Sequence, residues 1–224
     1  MSLLSPASVA AAALLALPWA LLVLVLALVA PASADQLAAA DPLVHLLPAG
    51  WTPFVVPLLA LTAAGAWVRL ARPDRAELRR AGARALAGVL MSGLIVATIR
   101  GVGGPVPPPL VPTEETVAPG LLLGLAGGLQ EELIFRLALV PPLFWALERR
   151  LPRMAAVAGT ALLTGLIFSG LHAVASDTPV AAWHLSRLLL PGMLMTFAFL
   201  RLGPSFLVTA HCAAHLWIPA IFGR

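Results

Sequence analysis

The stretch Leu121–Val140, LLLGLAGGLQEELIFRLALV, decides the fold. It has about the length an α-helix needs to cross a bilayer core, roughly 20 residues, yet it carries Glu131, Glu132 and Arg136. A charge at the centre of a membrane helix costs about 2.5–3.5 kcal/mol on an insertion scale. Chains keep such groups when they pair, line a cavity or take part in chemistry. Glu132 and Arg136 stand four residues apart, so they share one stripe of the helix and can neutralise each other. The plain reading of that pair is structural support, an ion pair that fixes helix packing. Glu131 is rotated by about 100° from Glu132, and no opposite charge lies near it in sequence. A carboxylate so placed suits a general base.

Composition agrees with a membrane setting. Of 224 residues, 60% are hydrophobic and 11% charged, and the mean hydropathy is +0.96. Soluble domains keep about 25% charged residues to cover their surface. The isoelectric point of 11.2 looks like a nucleic-acid signal. However, every basic residue is Arg, and the arginines lie in short connecting stretches instead of along one face. Arginine so distributed orients a membrane protein, and no nucleic-acid partner is expected. Cys212 is the only cysteine, which excludes an internal disulfide and a multi-cysteine metal site. It reads as a small apolar helix residue.

The apolar mass falls into about seven blocks: Val9–Ala30, Trp51–Leu70, Ala83–Thr98, Pro119–Leu139 with an extension to Leu147, Ala155–Ala173, Ala181–Leu200 and Pro204–Ile221. The expectation is an all-α, polytopic transmembrane helix bundle. It forms one integral membrane domain over residues 1–224, with the motif-bearing core expected at 119–221. Internal repeats are not apparent. Ala32-Ser33-Ala34 before Asp35 resembles a signal-peptidase site. No basic residue precedes the first run and the run is long, so a retained helix is expected. Gly101–Pro112, GVGGPVPPPLVP, reads as an ordered non-helical loop, because proline removes donors and restricts its predecessor. Pro141-Pro142 is expected to break or bend the fourth segment.

The connection after the second segment holds Arg72, Arg75, Arg79, Arg80 and Arg84. The one after the fourth holds Arg149, Arg150 and Arg153, and the one after the sixth holds Arg201. The alternate connections hold Asp35, Asp41, Glu114, Glu115 and Asp177, with Arg100 on that side. The positive-inside rule places the amino terminus and the arginine-rich connections in the cytoplasm. Trp51, Trp67 and Trp183 stand near segment ends, as interfacial anchors do.

Three histidines lie within apolar segments. His172 ends the fifth, and His211 and His215 stand four apart on one face of the seventh. A lone membrane histidine is usually a packing or interhelical hydrogen-bonding residue. Three, together with a carboxylate that lacks a neighbour in sequence, make a candidate site. His45 and His184 read as interfacial.

The residues now carry a resemblance. Glu131-Glu132-Leu-Ile-Phe-Arg136 resembles the EExxxR motif of the CAAX-protease and bacteriocin-processing (CPBP, or Abi) family. Phe168-Ser-Gly-Leu-His172 is similar to its FxxxH motif, and His211-Cys-Ala-Ala-His215 to its HxxxN motif. His215 stands where that family generally has Asn or Asp. The resemblance implies a multi-pass protein of the cell inner membrane that hydrolyses a peptide bond in a membrane-anchored protein or peptide. Carboxy-terminal sorting tails are among the substrates it admits. It also implies roles. Glu131 and His172 hold and activate a water, His211 with His215 donates to the developing oxyanion, and Glu132 and Arg136 position the first motif. No cofactor is expected. Two alternatives stand beside this reading. One is a zinc enzyme using His172, His211, His215 and a Glu as ligands, although the HExxH pattern of zincins is absent. The other is a non-catalytic transporter or immunity-type protein with the same buried polar cluster.

Seven spans with cytoplasmic arginines put Arg224 on the non-cytoplasmic side of the membrane. A carboxy-terminal phosphatase fusion should therefore be active and a fluorescent-protein fusion dark. The opposite pattern would mean a miscounted helix.

Overall fold

The computed structural model describes residues 4–29, 52–103, 117–174 and 180–222. Among these residues the chain is all-α, in seven helices that contain every apolar block expected above as far as it is described. They are α1 (Pro6–Val29), α2 (Thr52–Leu70), α3 (Arg75–Gly103), α4, α5 (Arg153–Val174), α6 (Val180–Leu202) and α7 (Pro204–Phe222). Helix α4 is one continuous rod in three stretches, Val117–Glu131, a π-helical Glu132–Leu139, and Val140–Glu148. Asp35, Asp41, His45, Trp51, Glu114, Glu115, Asp177, Arg224 and the Ala32-Ser33-Ala34 site lie outside the described residues.

Local chemistry sets the helix ends. Ser5 and Ser8 exchange hydrogen bonds, the backbone N–H of each donating to the other's Oγ at 3.0 and 3.1 Å. This reciprocal cap satisfies two donors that α1 leaves open. Asp74 caps α3, its Oδ1 accepting from the Glu77 N–H at 2.6 Å. That cap corrects the sequence reading. Arg75, Arg79, Arg80 and Arg84 are not in a connection but on the first turns of α3, and only residues 71–74 link α2 to α3. Arginine is a good helix former, and Glu77 pairs with Arg80 at 2.8 Å. At its other end α3 runs through Gly101 to Gly103, which corrects the expected loop over those three residues; its remainder lies outside the described ones.

Pro141-Pro142 does not interrupt α4. The helix passes through both prolines, and what changes is hydrogen-bond register. Val140 N–H donates to the Phe135 carbonyl, five residues back instead of four. The prolines then occupy the first positions of the final α-helical stretch, where a missing N–H does least harm.

The packing is inverted relative to a soluble bundle. Buried positions are largely small: Ala10 to Ala13, Ala16, Ala20, Ala60, Ala64, Ala156, Ala213. Large apolar side chains face outward, Leu90 at 72% exposure and Leu70 at 73% among them. An exterior of leucine is what lipid solvates and water does not. Two helices, Pro6–Val29 and Arg153–Ala173, are long and apolar enough by themselves to cross a membrane. Buried hydroxyls are satisfied inside the bundle, as an apolar medium requires. Thr160 and Thr209 each donate to the carbonyl four residues back, at 2.8 and 2.7 Å; Thr164 and Thr196 lie 2.7 and 3.1 Å from the equivalent carbonyls, and one of these two hydroxyls donates to the other.

Small residues also let helices approach closely. A Cβ at Gly88 of α3 would overlap the Phe206 carbonyl oxygen of α7, and Thr209 Oγ1 lies 3.0 Å from the Ala85 carbonyl across the same crossing. Between α5 and α6, a Cβ at Gly165 would stand 2.6 Å from Met193 Cγ, and the Thr164 and Thr196 hydroxyls meet at 2.8 Å. The arginine-rich ends gather at one end of the bundle. Trp67 packs edge-on against Trp145 at 6.1 Å between centroids, Arg201 Nη2 reaches Met154 Sδ at 3.8 Å, and Arg84 covers Gly203. Arg187, in the first third of α6, adds a basic residue toward the opposite end that the connection-by-connection reading leaves out.

Gly88→Ala forces α3 and α7 apart against backbone, and overpacking of this kind typically costs about 1–3 kcal/mol. Gly65→Ala meets nothing within 4 Å. Thermal unfolding in detergent should show a lower midpoint for Gly88→Ala and no loss for Gly65→Ala. Equal midpoints would remove the close α3–α7 crossing as a determinant of the fold.

Candidate active site

Three helices distant in sequence bring the singled-out side chains together. Glu131 and Glu132 stand where α4 passes from α-helical to π-helical register. His172 comes from the last turn of α5, and His211 and His215 from the middle of α7. His172 Nε2 lies 3.2 Å from Glu131 Oε1, His211 Nε2 lies 3.9 Å from Glu131 Oε2, and His211 Nδ1 lies 2.9 Å from Glu132 Oε1. Glu131 has no partner near it in sequence, and its partners arrive from α5 and α7.

Exposure divides the cluster in two. The side chains of Glu131, His172 and His211 keep 13%, 8% and 16% of their surface open, whereas Glu132 and Arg136 keep 0% and 1%. The first three are reachable and the other two are sealed.

The hydrogen bonds fix which ring nitrogens carry protons. His172 Nδ1 is 2.8 Å from the Phe168 carbonyl oxygen. A carbonyl only accepts, so Nδ1–H donates and Nε2 is the nitrogen that turns to Glu131. Nε2 and the carboxylate would both be acceptors, so a proton lies between them, held by the ring or by the carboxyl. In His211 the Nδ1–H donates to the Glu132 carboxylate, and Nε2 again points toward Glu131. Each ring is oriented by a second group on its far side, an arrangement that fixes a histidine's tautomer in many active sites.

The Glu132–Arg136 ion pair expected from i, i+4 spacing is present and sealed from the surface. Arg136 Nε is 3.6 Å from Glu132 Oε1, beyond hydrogen-bond length. His211 takes the same oxygen at the shorter distance, 2.9 Å. Arg136 gains other support. Its guanidinium carbon stands 4.8 Å from the Phe168 ring centroid, within cation–π range, and Nη2 reaches Met195 Sδ at 3.5 Å. Phe168 thus serves both sides of the site. Its carbonyl orients His172, and its ring, edge-on to Phe135 at 5.3 Å, lies against Arg136.

Gln130 Oε1, Glu132 Oε2, and Arg136 Nε and Nη1 are buried with no hydrogen-bond partner among the described residues. Unsatisfied polar capacity concentrated on one stretch of helix weakens a fold, and such groups cluster where function retains them. His215 makes no hydrogen bond among the described residues. Its ring leans on His211, with centroids 5.1 Å apart. Among the described residues no three His, Cys, Asp or Glu side chains form a cluster that holds a metal ion. Cys212 is buried and free, in keeping with an apolar role.

Sequence reasoning missed the Glu132–His211 bond and the Met195 contact, neither of which leaves a signal along one helix, and the Phe168 carbonyl, which does, standing four residues before His172 on α5. It also missed Gly124 and Gly128, which do leave one, being two glycines at i, i+4 in a membrane-length run.

Residues 113–217 match a family model, that of the type II CAAX prenyl endopeptidase Rce1-like domain. No curated protein and no solved structure matches the chain.

Arg136→Ala leaves Glu132 sealed without its counter-charge, and removing one partner of a buried pair typically costs about 3–5 kcal/mol. The variant should accumulate poorly in membranes and unfold at a lower temperature in detergent. Normal accumulation with an unchanged midpoint would refute structural support by Arg136.

Proposed function

On the match of residues 113–217 to the Rce1-like family model, we propose that this chain is an intramembrane endopeptidase of the CPBP family. It hydrolyses a peptide bond near the membrane in a membrane-anchored protein or peptide, carboxy-terminal sorting tails among the candidates, and it does so from a seven-span bundle in the cell inner membrane. The observation that carries this reading is the Glu131 carboxylate bracketed by the Nε2 atoms of His172 and His211, at 3.2 and 3.9 Å. A carboxylate and imidazole nitrogens converging on one reachable point are what activation of a water requires.

In this mechanism Glu131, with His172, takes a proton from water as the oxygen attacks the scissile carbonyl. The pair later returns the proton to the leaving amine. The Phe168 carbonyl keeps His172 turned so that only Nε2 exchanges protons with Glu131. His211 and His215 stabilise the developing oxyanion, and a preorganised donor of this kind contributes about 2.7–4 kcal/mol. The orientation of His211 adds a condition. With Nδ1–H donating to Glu132, its Nε2 donates only from the doubly protonated ring, whose charge Glu132 offsets. Glu132 is therefore a positioning residue for His211 as well as the counter-charge of Arg136. No step uses a metal or other cofactor. Metal content and chelator sensitivity of the purified protein decide between this chemistry and a zinc-dependent version.

Glu131→Gln keeps the shape and loses the base. It should fold as the parent does, bind substrate, and cleave a synthetic single-span peptide with a carboxy-terminal tail in liposomes at least about a hundredfold more slowly. His172→Ala should be as inactive, and combining the two should add little, because residues acting as a unit are non-additive. Full activity of Glu131→Gln at matched expression would sink the glutamate-based mechanism.

A further inference from the structure

Gly124 and Gly128 stand one turn apart on α4, and the imidazole of His215 lies across both. A methyl group at 128 would stand 2.6 Å from His215 Cδ2 and 2.7 Å from Nε2, and one at 124 would stand 2.8 Å from Nδ1 and 3.2 Å from Cγ. Non-bonded heavy atoms sit comfortably at about 3.5–4.0 Å, so neither position accepts a side chain while the ring is where it is. His211 closes the ring in from another side, 5.1 Å away between centroids, and its Nε2 would be 3.8 Å from a methyl group at 128. The ring is wedged between bare helix backbone and a second imidazole. Among the described residues it makes no hydrogen bond, and its contacts are those of shape.

Backbone conformation does not call for these glycines. Among the described residues only Gly203 has a positive φ, 102°, and both α4 glycines lie in a regular helical stretch. Glycine there is about 0.8–1.0 kcal/mol less favourable than alanine. Two such positions on one face, both filled by the same ring, indicate that close approach is what they provide.

We propose that Gly124 and Gly128 are positioning residues of the site, forming a notch that seats the His215 imidazole beside His211. The notch thereby sets how near α7 comes to Glu131 and Glu132. This inference rests on the reading of the site as a peptidase centre. It couples residue 215 to residues 124 and 128, so a change on one side is tolerated only with a change on the other.

The test is a double-mutant cycle with two readouts. Gly128→Ala and Gly124→Ala are each made in the parent and in a His215→Ala background, and thermal midpoints are measured in detergent. Each should lower the midpoint by several degrees in the parent. In the His215→Ala background each should leave it unchanged or raise it, because the ring is gone and alanine is the better helix former. In liposomes with the single-span peptide, Gly128→Ala should lose roughly a hundredfold in kcat, as small misplacements in active sites do. KM should be little changed, and adding His215→Asn should restore part of the loss. An equal midpoint loss in both backgrounds, or full kcat in Gly128→Ala, overturns the notch. A Gly128→Ala protein that folds only with His215→Ala supports it, and one that folds in neither background counts against it. The midpoints need no substrate. An inactive parent would therefore count against the peptidase reading alone, while the cycle still reports on the notch.

Discussion

Carboxylates placed in an apolar interior must be met by partners, and in this protein the partners come from other helices. Glu132 Oε1 takes the His211 Nδ1–H at 2.9 Å with Arg136 at 3.6 Å, which ties α7 to α4. Glu131 Oε1 meets His172 at 3.2 Å, which ties α5 to α4. In a low-dielectric setting an unmet charge is far more unfavourable than in water. The same contacts that make the cluster tolerable also fix the relative depth of three helices. The site and the fold are to that extent one set of interactions.

The contacts hold because the helices carrying them are themselves held at short range. Helix α7 is seated on α3 where Gly88 gives way to the Phe206 carbonyl, and on α4 where Gly124 and Gly128 give way to His215. Helix α5 is locked to α6 by Gly165 and by the hydroxyl pair of Thr164 and Thr196. These crossings use glycine and threonine instead of large apolar side chains, as expected where hydrophobic burial does not drive helix association. The placement of His172 and His211 against Glu131 follows from that close packing.

The division of exposure within the cluster gives it chemical sense. Glu132 and Arg136 are sealed and oriented inward, while Glu131, His172 and His211 keep part of their surface open. Each histidine presents Nε2 toward Glu131 because its Nδ1–H is already committed, to a backbone carbonyl in one ring and to a carboxylate in the other. Directional proton transfer needs such asymmetry, because a ring free to flip offers either nitrogen. The π-helical turn that begins at Glu132 belongs to the same arrangement. Such turns often occur at functional sites, and Glu132, its first residue, pairs with both Arg136 and His211.

The sequence by itself determined the helical architecture, the segments, and which residues did not belong in them. Helix length, apolar runs and i, i+4 neighbours are fixed by the geometry of a single helix, so they can be read along the chain. Glu131, Glu132, Arg136, His172, His211 and His215 were all visible for that reason. The extent of α3 was not, because a run of arginines looks like a connection until the Asp74 cap shows it to be a first turn. Only the tertiary structure decided which histidine meets which carboxylate. It also decided that His211 turns its Nδ1–H to Glu132, and that His215 settles on two glycines. Those outcomes depend on the crossing and axial offset of helices, which no local spacing encodes.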